Sequence, residues 1–283
     1  MNGFKYHSQR LHSQALYFST VHLLALSIAL LLISSNVVAK TNFDRPDLER
    51  EKRMASEVED AVLDGEVIYL KDKAHKFMAI DQEPEEDVKG AVIIIHGRGF
   101  HPNWEDAIFP LRTQLPEKGW RTLSLQMHVL EKSAKYNDYM SLFPLASTRI
   151  EAGIAHLKAQ GIDNIVLLAH SCGAHMAMEW IRSKDGKVDN MISAYIGAGM
   201  GATDYKQPME QPFPLPKMTI PVLDIYGEKE YPAVLRMAPG RKAMMKKAGN
   251  KKSKQVVVPD ANHYFTDQGD ALVESVANWL DTL

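Results

Sequence analysis

Ser171 lies in the run Ala169-His170-Ser171-Cys172-Gly173, between an apolar stretch, 164–169, and a segment of helix-favouring composition, 172–180. A serine on such a strand-to-helix turn can present its hydroxyl to an acyl carbon, provided the residues two before and two after it are small enough for the turn to close. Ala169 and Gly173 meet that condition. A hydroxyl is a weak nucleophile until a base takes its proton, and the base needs an acid to orient it. Downstream, the run Pro221-Val222-Leu223-Asp224-Ile225-Tyr226-Gly227-Glu228-Lys229-Glu230 offers three carboxylates. His263, in the loop 259–265, is the only histidine beyond Glu230 and the candidate base. Cys172 is a rival nucleophile, but moving the register by one would put His170 and Ala174 at the two crowded positions, where the histidine would clash.

Holding these groups in place requires a rigid scaffold, and the hydropathy pattern describes one. Short apolar runs at 66–70, 76–81, 91–95, 121–126, 164–169, 192–196, 220–226 and 255–258 read as strands. Val92-Ile93-Ile94-Ile95 and Ile165-Val166-Leu167-Leu168 are apolar without alternation, as parallel strands covered on both faces should be. Helix-length segments at 104–118, 145–160, 172–183 and 233–248 separate the strands, and an amphipathic segment, 271–283, closes the chain. The expected fold is α/β: three layers around a mostly parallel sheet with an antiparallel start, in one domain over 66–283. No large cap domain is expected. The stretches 131–137 and 198–216 are the candidates for covering the site. The charged stretch 44–60, within a lead-in of 40–65, reads as a solvated helix or arm.

From about Ala91 onward the chain resembles the α/β-hydrolase superfamily. The segments VIIIHGRGFHPNW, LLAHSCGAH and PVLDIYGEKEYPAV resemble, more narrowly, a family of exported bacterial α/β-hydrolase-like proteins with no settled activity. The resemblance implies the chain order nucleophile, acid, histidine. It favours Glu230 as the acid, three positions past Gly227, over Asp224 inside the strand, with Glu228 third. It makes His263 the base. It nominates the N–H groups of Arg98 and Cys172 as oxyanion donors. Gly97 and Gly99, which let that turn bend sharply, are candidate substrate-binding residues, and His170, next to Ser171, reads either as a pocket residue or as a packed residue of the turn. Each oxyanion donor would contribute about 3 to 4 kcal/mol of transition-state stabilisation. Ala169 instead of Gly, and Glu instead of the commoner Asp, depart from the pattern. The implied activity is that of a carboxylesterase-like serine hydrolase acting on a small-molecule acyl substrate through an acyl-enzyme on Ser171, with no cofactor or metal. The alternatives are a binding or envelope accessory protein with a degenerate triad, and a serine peptidase.

Composition narrows the partners. A net charge of −2 gives no basic field for nucleic acid. His75, His101, His128, His156, His170 and His175 form no His-Glu-x-x-His pattern, and one cysteine offers no pair for zinc. The run 240–254 is locally basic through Arg241, Lys242, Lys246, Lys247, Lys251, Lys252 and Lys254, reading as a solvated helix face or as a weak contact with an anionic envelope surface. Residues 1–39 carry only Lys5 and Arg10 before an apolar stretch and end at Val37-Val38-Ala39, which predicts a signal peptide cleaved after Ala39 and a periplasmic or secreted protein. The alternative is a membrane anchor formed by residues 21–39.

Overall fold

The computed structural model describes residue 43, residues 45–85 and residues 87–283. The expected signal segment therefore lies outside the described residues. The described chain is built on eight strands: β1 (Glu66–Lys71), β2 (Lys76–Gln82), β3 (Gly90–Ile95), β4 (Trp120–Leu125), β5 (Ile165–His170), β6 (Ala194–Ala198), β7 (Val222–Lys229) and β8 (Lys254–Asn262). They form one sheet in the order β1-β2-β4-β3-β5-β6-β7-β8. β1 with β2 and β2 with β4 are antiparallel, and every later pairing is parallel.

The unbroken apolar runs are explained by what lies above and below the sheet. Ile93, Ile95 and Leu167 face a cluster containing Ile150 and Leu157 of α4 (Ala146–Ala159) and Trp180 of α5 (Cys172–Ser183). Their neighbours Val92, Ile94, Val166 and Leu168 face Leu111 of α2 (Ile108–Gln114) and Val273 and Val276 of α7 (Gly269–Leu280). Successive strand residues point to opposite faces, so a strand covered on both sides must be apolar at every position. Each such side chain, fully buried, contributes about 1.5 to 3 kcal/mol. The remaining helices are α1 (Leu48–Glu59), the short α3 (Tyr136–Tyr139) and α6 (Pro232–Ala248).

Three differences from the sequence expectation matter for the site. β7 and β8 run to Lys229 and Asn262, beyond the apolar runs that announced them. The stretch 104–118 is helical only over α2 and a 3-10 turn, Pro116–Lys118. The charged stretch expected to be solvated is α1, started by the Asp47 carboxylate accepting from the Arg50 N–H at 2.9 Å. Its inner face is buried. Ala55 and Val58 pack on Met78 and Ile80 of β2, and Glu51 pairs with Arg149 of α4 at 2.8 Å and with His128. Burial opposes the Glu51 carboxylate, but His128 and Arg149 outweigh it and hold its carboxyl below the ordinary range. The basic run 240–254 is likewise not uniformly a surface, because Arg241 is buried against Asp224. Among the described residues, no helix is long and apolar enough to cross a membrane.

Candidate active site

Ser171 is the single residue between β5 and α5, with φ 56° and ψ −120°. A left-handed φ at a residue with a Cβ costs of order 1 to 3 kcal/mol and persists only where the surroundings enforce it. Here the Ser171 N–H donates to the Ala198 carbonyl at 2.8 Å. A Cβ at Gly173 would stand 2.6 Å from the His96 carbonyl oxygen, so the first turn of α5 is pressed against the end of β3. The register that makes Ser171 the turn residue thus depends on Gly173. Cys172 is the first residue of the helix and buried; burial pushes its thiol up to about 12, with Arg98 opposing only in part. A thiol that stays protonated is no nucleophile.

The Ser171 hydroxyl lies 2.7 Å from Nε2 of His263, and Nδ1 of the same ring lies 2.5 Å from Oε1 of Glu230. The extension of β7 and β8 brings Glu230 and His263 together. Their parallel pairing continues past an irregularity between Gly227 and Lys229 to the partners Lys229 and Asn262, so the next residue on each strand is Glu230 on one and His263 on the other. The irregularity follows from close approach: a Cβ on Gly227 would fall 2.3 Å from the Ala261 carbonyl oxygen.

The other two carboxylates are engaged elsewhere. Asp224 is fully buried in β7, where Oδ2 accepts from Nε of Arg241 at 2.8 Å and from Gln255 at 2.7 Å. Glu228 accepts from the Asp260 N–H at 3.0 Å.

Two residues hold the histidine from behind. Of the two readings of His170, the structure contradicts the pocket-lining one: the ring is packed in the turn, fully buried and outside the cleft. Its Nε2–H donates to the His263 carbonyl at 2.9 Å. Burial, reinforced by the neighbouring His263, pushes its pKa down to about 3, so the ring remains neutral in that role. Gly199, with φ 64°, was not singled out from sequence. A Cβ there would meet His263 Cε1 at 2.9 Å and Glu230 Oε2 at 3.3 Å. The Ala198-Gly199-Met200-Gly201 run at the end of β6 was the available signal.

The turn 96–99 faces Ser171: a Cβ on Gly97 would lie 3.3 Å from the Ser171 Cβ. His96 fixes the turn. Nε2 accepts from the Met127 N–H at 2.9 Å, which leaves Nδ1 to donate to the Gly97 carbonyl at 2.7 Å. Burial pushes its pKa down to about 3 and keeps it neutral. The Arg98 side chain turns away to a two-pronged pair with Asp204, at 2.5 and 3.3 Å. Asp204 also accepts from the Tyr136 N–H at 2.7 Å, so it ties three loops together. Cys172 opens α5, and its N–H therefore has no intrahelical acceptor.

Above Ser171 and His263 opens a cleft of about 1300 Å³. Phe100 and Trp104 form part of its wall, stacked with ring centroids 3.8 Å apart. Tyr231 stacks on the His263 ring at 4.2 Å and joins its hydroxyl to that of Tyr264 at 2.8 Å. Gly99 lines the cleft, whereas Gly97 lies behind it. Both stretches expected to cover the site contribute lining residues, among them Tyr136 and Met209. The lead-in helix α1, not expected at the site, adds Arg50, Arg53, Met54 and Glu57. Among the described residues, no group of three His, Cys, Asp or Glu side chains could hold a metal ion.

A family model described as protein of unknown function (DUF3530) matches residues 21–148 and 141–282. The chain belongs to that family. A search of the curated proteins finds no match. Solved structures show that the fold is that of α/β hydrolases. A dienelactone hydrolase from Anabaena variabilis superposes with TM-score 0.60 at 17% identity, over 77% of this chain and 96% of its own. A soluble variant of monoglyceride lipase from Saccharomyces cerevisiae gives TM-score 0.58 at 15% identity, over 78% and 96%. Est1E from Butyrivibrio proteoclasticus gives 0.55 at 17%, over 76% and 97%.

Proposed function

We propose that the protein is a serine hydrolase that cleaves an ester or related acyl bond through an acyl-enzyme on Ser171. The observation that carries this reading is the continuous hydrogen-bonded chain from Ser171 Oγ through both nitrogens of His263 to Glu230. In the proposed reaction, Nε2 of His263 takes the Ser171 proton as Oγ attacks the acyl carbon. Glu230 stabilises the imidazolium so formed, and the Arg98 and Cys172 amides receive the oxyanion. His263 returns the proton to the leaving group, and water, activated by the same ring, releases the acyl group. No step calls for a metal or organic cofactor. The intact reach of Glu230 to His263 favours an enzyme over a binding protein with a degenerate triad. The aromatic wall of the cleft suits an apolar part of the substrate. The apolar segment ending at Ala39 supports export.

Covalent capture of Ser171 by a fluorophosphonate tests the proposal, with Ser171→Ala as the control that must not label. A second outcome concerns Gly199. In Gly199→Ala the new methyl must displace the His263 ring, and misplacing a catalytic group by about 1 Å costs on the order of 10²-fold. The expected result is that kcat for a p-nitrophenyl ester falls by about 10²-fold, with the far-UV circular dichroism of the native fold retained.

A further inference from the structure

The charge of the cleft differs from that of the chain. Overall, acidic residues outnumber basic ones, 35 to 33. In the cleft lining the balance reverses: seven Arg and Lys side chains stand against three carboxylates. One of those carboxylates, Asp204, is taken by Arg98. No carboxylate among the described residues lies within ion-pair distance of the other six cations, Arg50, Arg53, Lys132, Lys135, Lys206 and Arg236. Like charges gathered without counter-ions repel one another, and a concave, low-dielectric wall concentrates their field. Such an arrangement attracts a ligand of opposite charge.

Arg50 is the best placed of the six. Half-buried on α1, it donates from Nη2 to the Gly99 carbonyl at 3.1 Å and from Nη1 to the Leu130 carbonyl, which fixes its guanidinium beside the oxyanion turn. A guanidinium has five N–H donors, so further donors remain for an anion. Arg53 stands three residues along, on the same helical face, and Arg236 lines the wall from α6. We infer that the substrate is an acyl ester carrying its own carboxylate or phosphate, held by the cationic cleft, with Arg50 and Arg53 of the lead-in helix as specificity-determining residues. This rests on the serine-hydrolase reading and adds the substrate class.

The test uses the mature protein and two p-nitrophenyl esters of equal acyl length, the hemiglutarate with a terminal carboxylate and the neutral pentanoate. The expected kcat/KM favours the hemiglutarate by about tenfold or more at low ionic strength, as one charge-assisted contact allows. The gap closes near 1 M salt, where the screening length is about 3 Å. Arg53→Glu lowers kcat/KM for the hemiglutarate by about tenfold more than for the pentanoate. Equal rates or a preference for the pentanoate, together with equal fatty-acid release from phosphatidylglycerol and phosphatidylcholine vesicles, overturn the inference.

Calorimetry with Ser171→Ala separates this result from failure of the chemistry, by comparing the binding of monomethyl glutarate and methyl pentanoate. Tighter anion binding by a protein whose wild type turns over neither ester upholds the anion site and overturns the hydrolase. No preference, with Ser171 still labelled by a fluorophosphonate, overturns the anion site alone. Fatty-acid release from phosphatidylglycerol against phosphatidylcholine vesicles distinguishes the two sources of the anion. A preference confined to vesicles assigns a lipid headgroup, and one confined to soluble esters assigns a free acid.

Discussion

Glu230→Gln is expected to lower kcat for ester hydrolysis by about 10³- to 10⁴-fold with little change in thermal stability. The carboxylate accepts from Nδ1 of His263 and so fixes the ring with Nε2 as the acceptor facing Ser171. A neutral amide of the same shape removes the charge that stabilises the imidazolium. It can also present its NH₂ to Nδ1, which selects the wrong tautomer. The matched control is Asp224→Asn. Because Asp224 meets Arg241 and Gln255 and not His263, this variant is expected to keep a catalytic rate close to wild type. A loss of rate in Asp224→Asn and none in Glu230→Gln would reassign the acid. Steady-state kinetics on both variants, with melting curves, decides the question.

The second large effect is on stability. Arg241→Met is expected to cost about 3 to 5 kcal/mol, because it leaves the Asp224 carboxylate buried without its cation. For a domain of this size each kcal/mol lowers the melting temperature by about 2 to 4 °C, so differential scanning calorimetry should show a drop of about 6 to 20 °C. The sign of the pH dependence follows from Asp224. Burial already pushes its carboxyl up, with Arg241 opposing, and removing Arg241 raises it further. A carboxyl whose folded pKa lies above its unfolded value favours the native state below the unfolded pKa, and loses that contribution as pH rises through the folded pKa. The deficit of Arg241→Met is therefore expected to be larger at pH 8 than at pH 5. Replacing both partners by apolar residues, in Arg241→Met with Asp224→Leu, should recover much of the loss.

What could be read from the sequence was local. The turn at Ser171 is announced by small residues at fixed offsets and by a change of hydrophobic period, both confined to a dozen residues. The double burial of β3 and β5 shows as runs without alternation. The meeting of Glu230 and His263 was legible only through a family resemblance, because it depends on register between strands about thirty residues apart. Pro259 and Asp260 look like the end of β8, and the strand continues through them with Asp260 at φ 57°. Gly199 was missed for a similar reason, since its need for a bare backbone comes from His263, distant in sequence. Charge density made α1 look solvated. A helix can be charged on every turn and still bury one face, and Glu51 does so because Arg149 and His128 wait beneath it. His170 could be read as a pocket residue from its adjacency to Ser171, but successive residues at the end of a strand face opposite ways.

The most direct test of the catalytic reading is the intact mass of the protein after incubation with a fluorophosphonate, followed by peptide mapping. One adduct per chain, on Ser171, absent from Ser171→Ala and formed far more slowly in Glu230→Gln, is the expected result. Unmodified protein under conditions that label a known serine hydrolase, or an adduct that persists in Ser171→Ala, would contradict it.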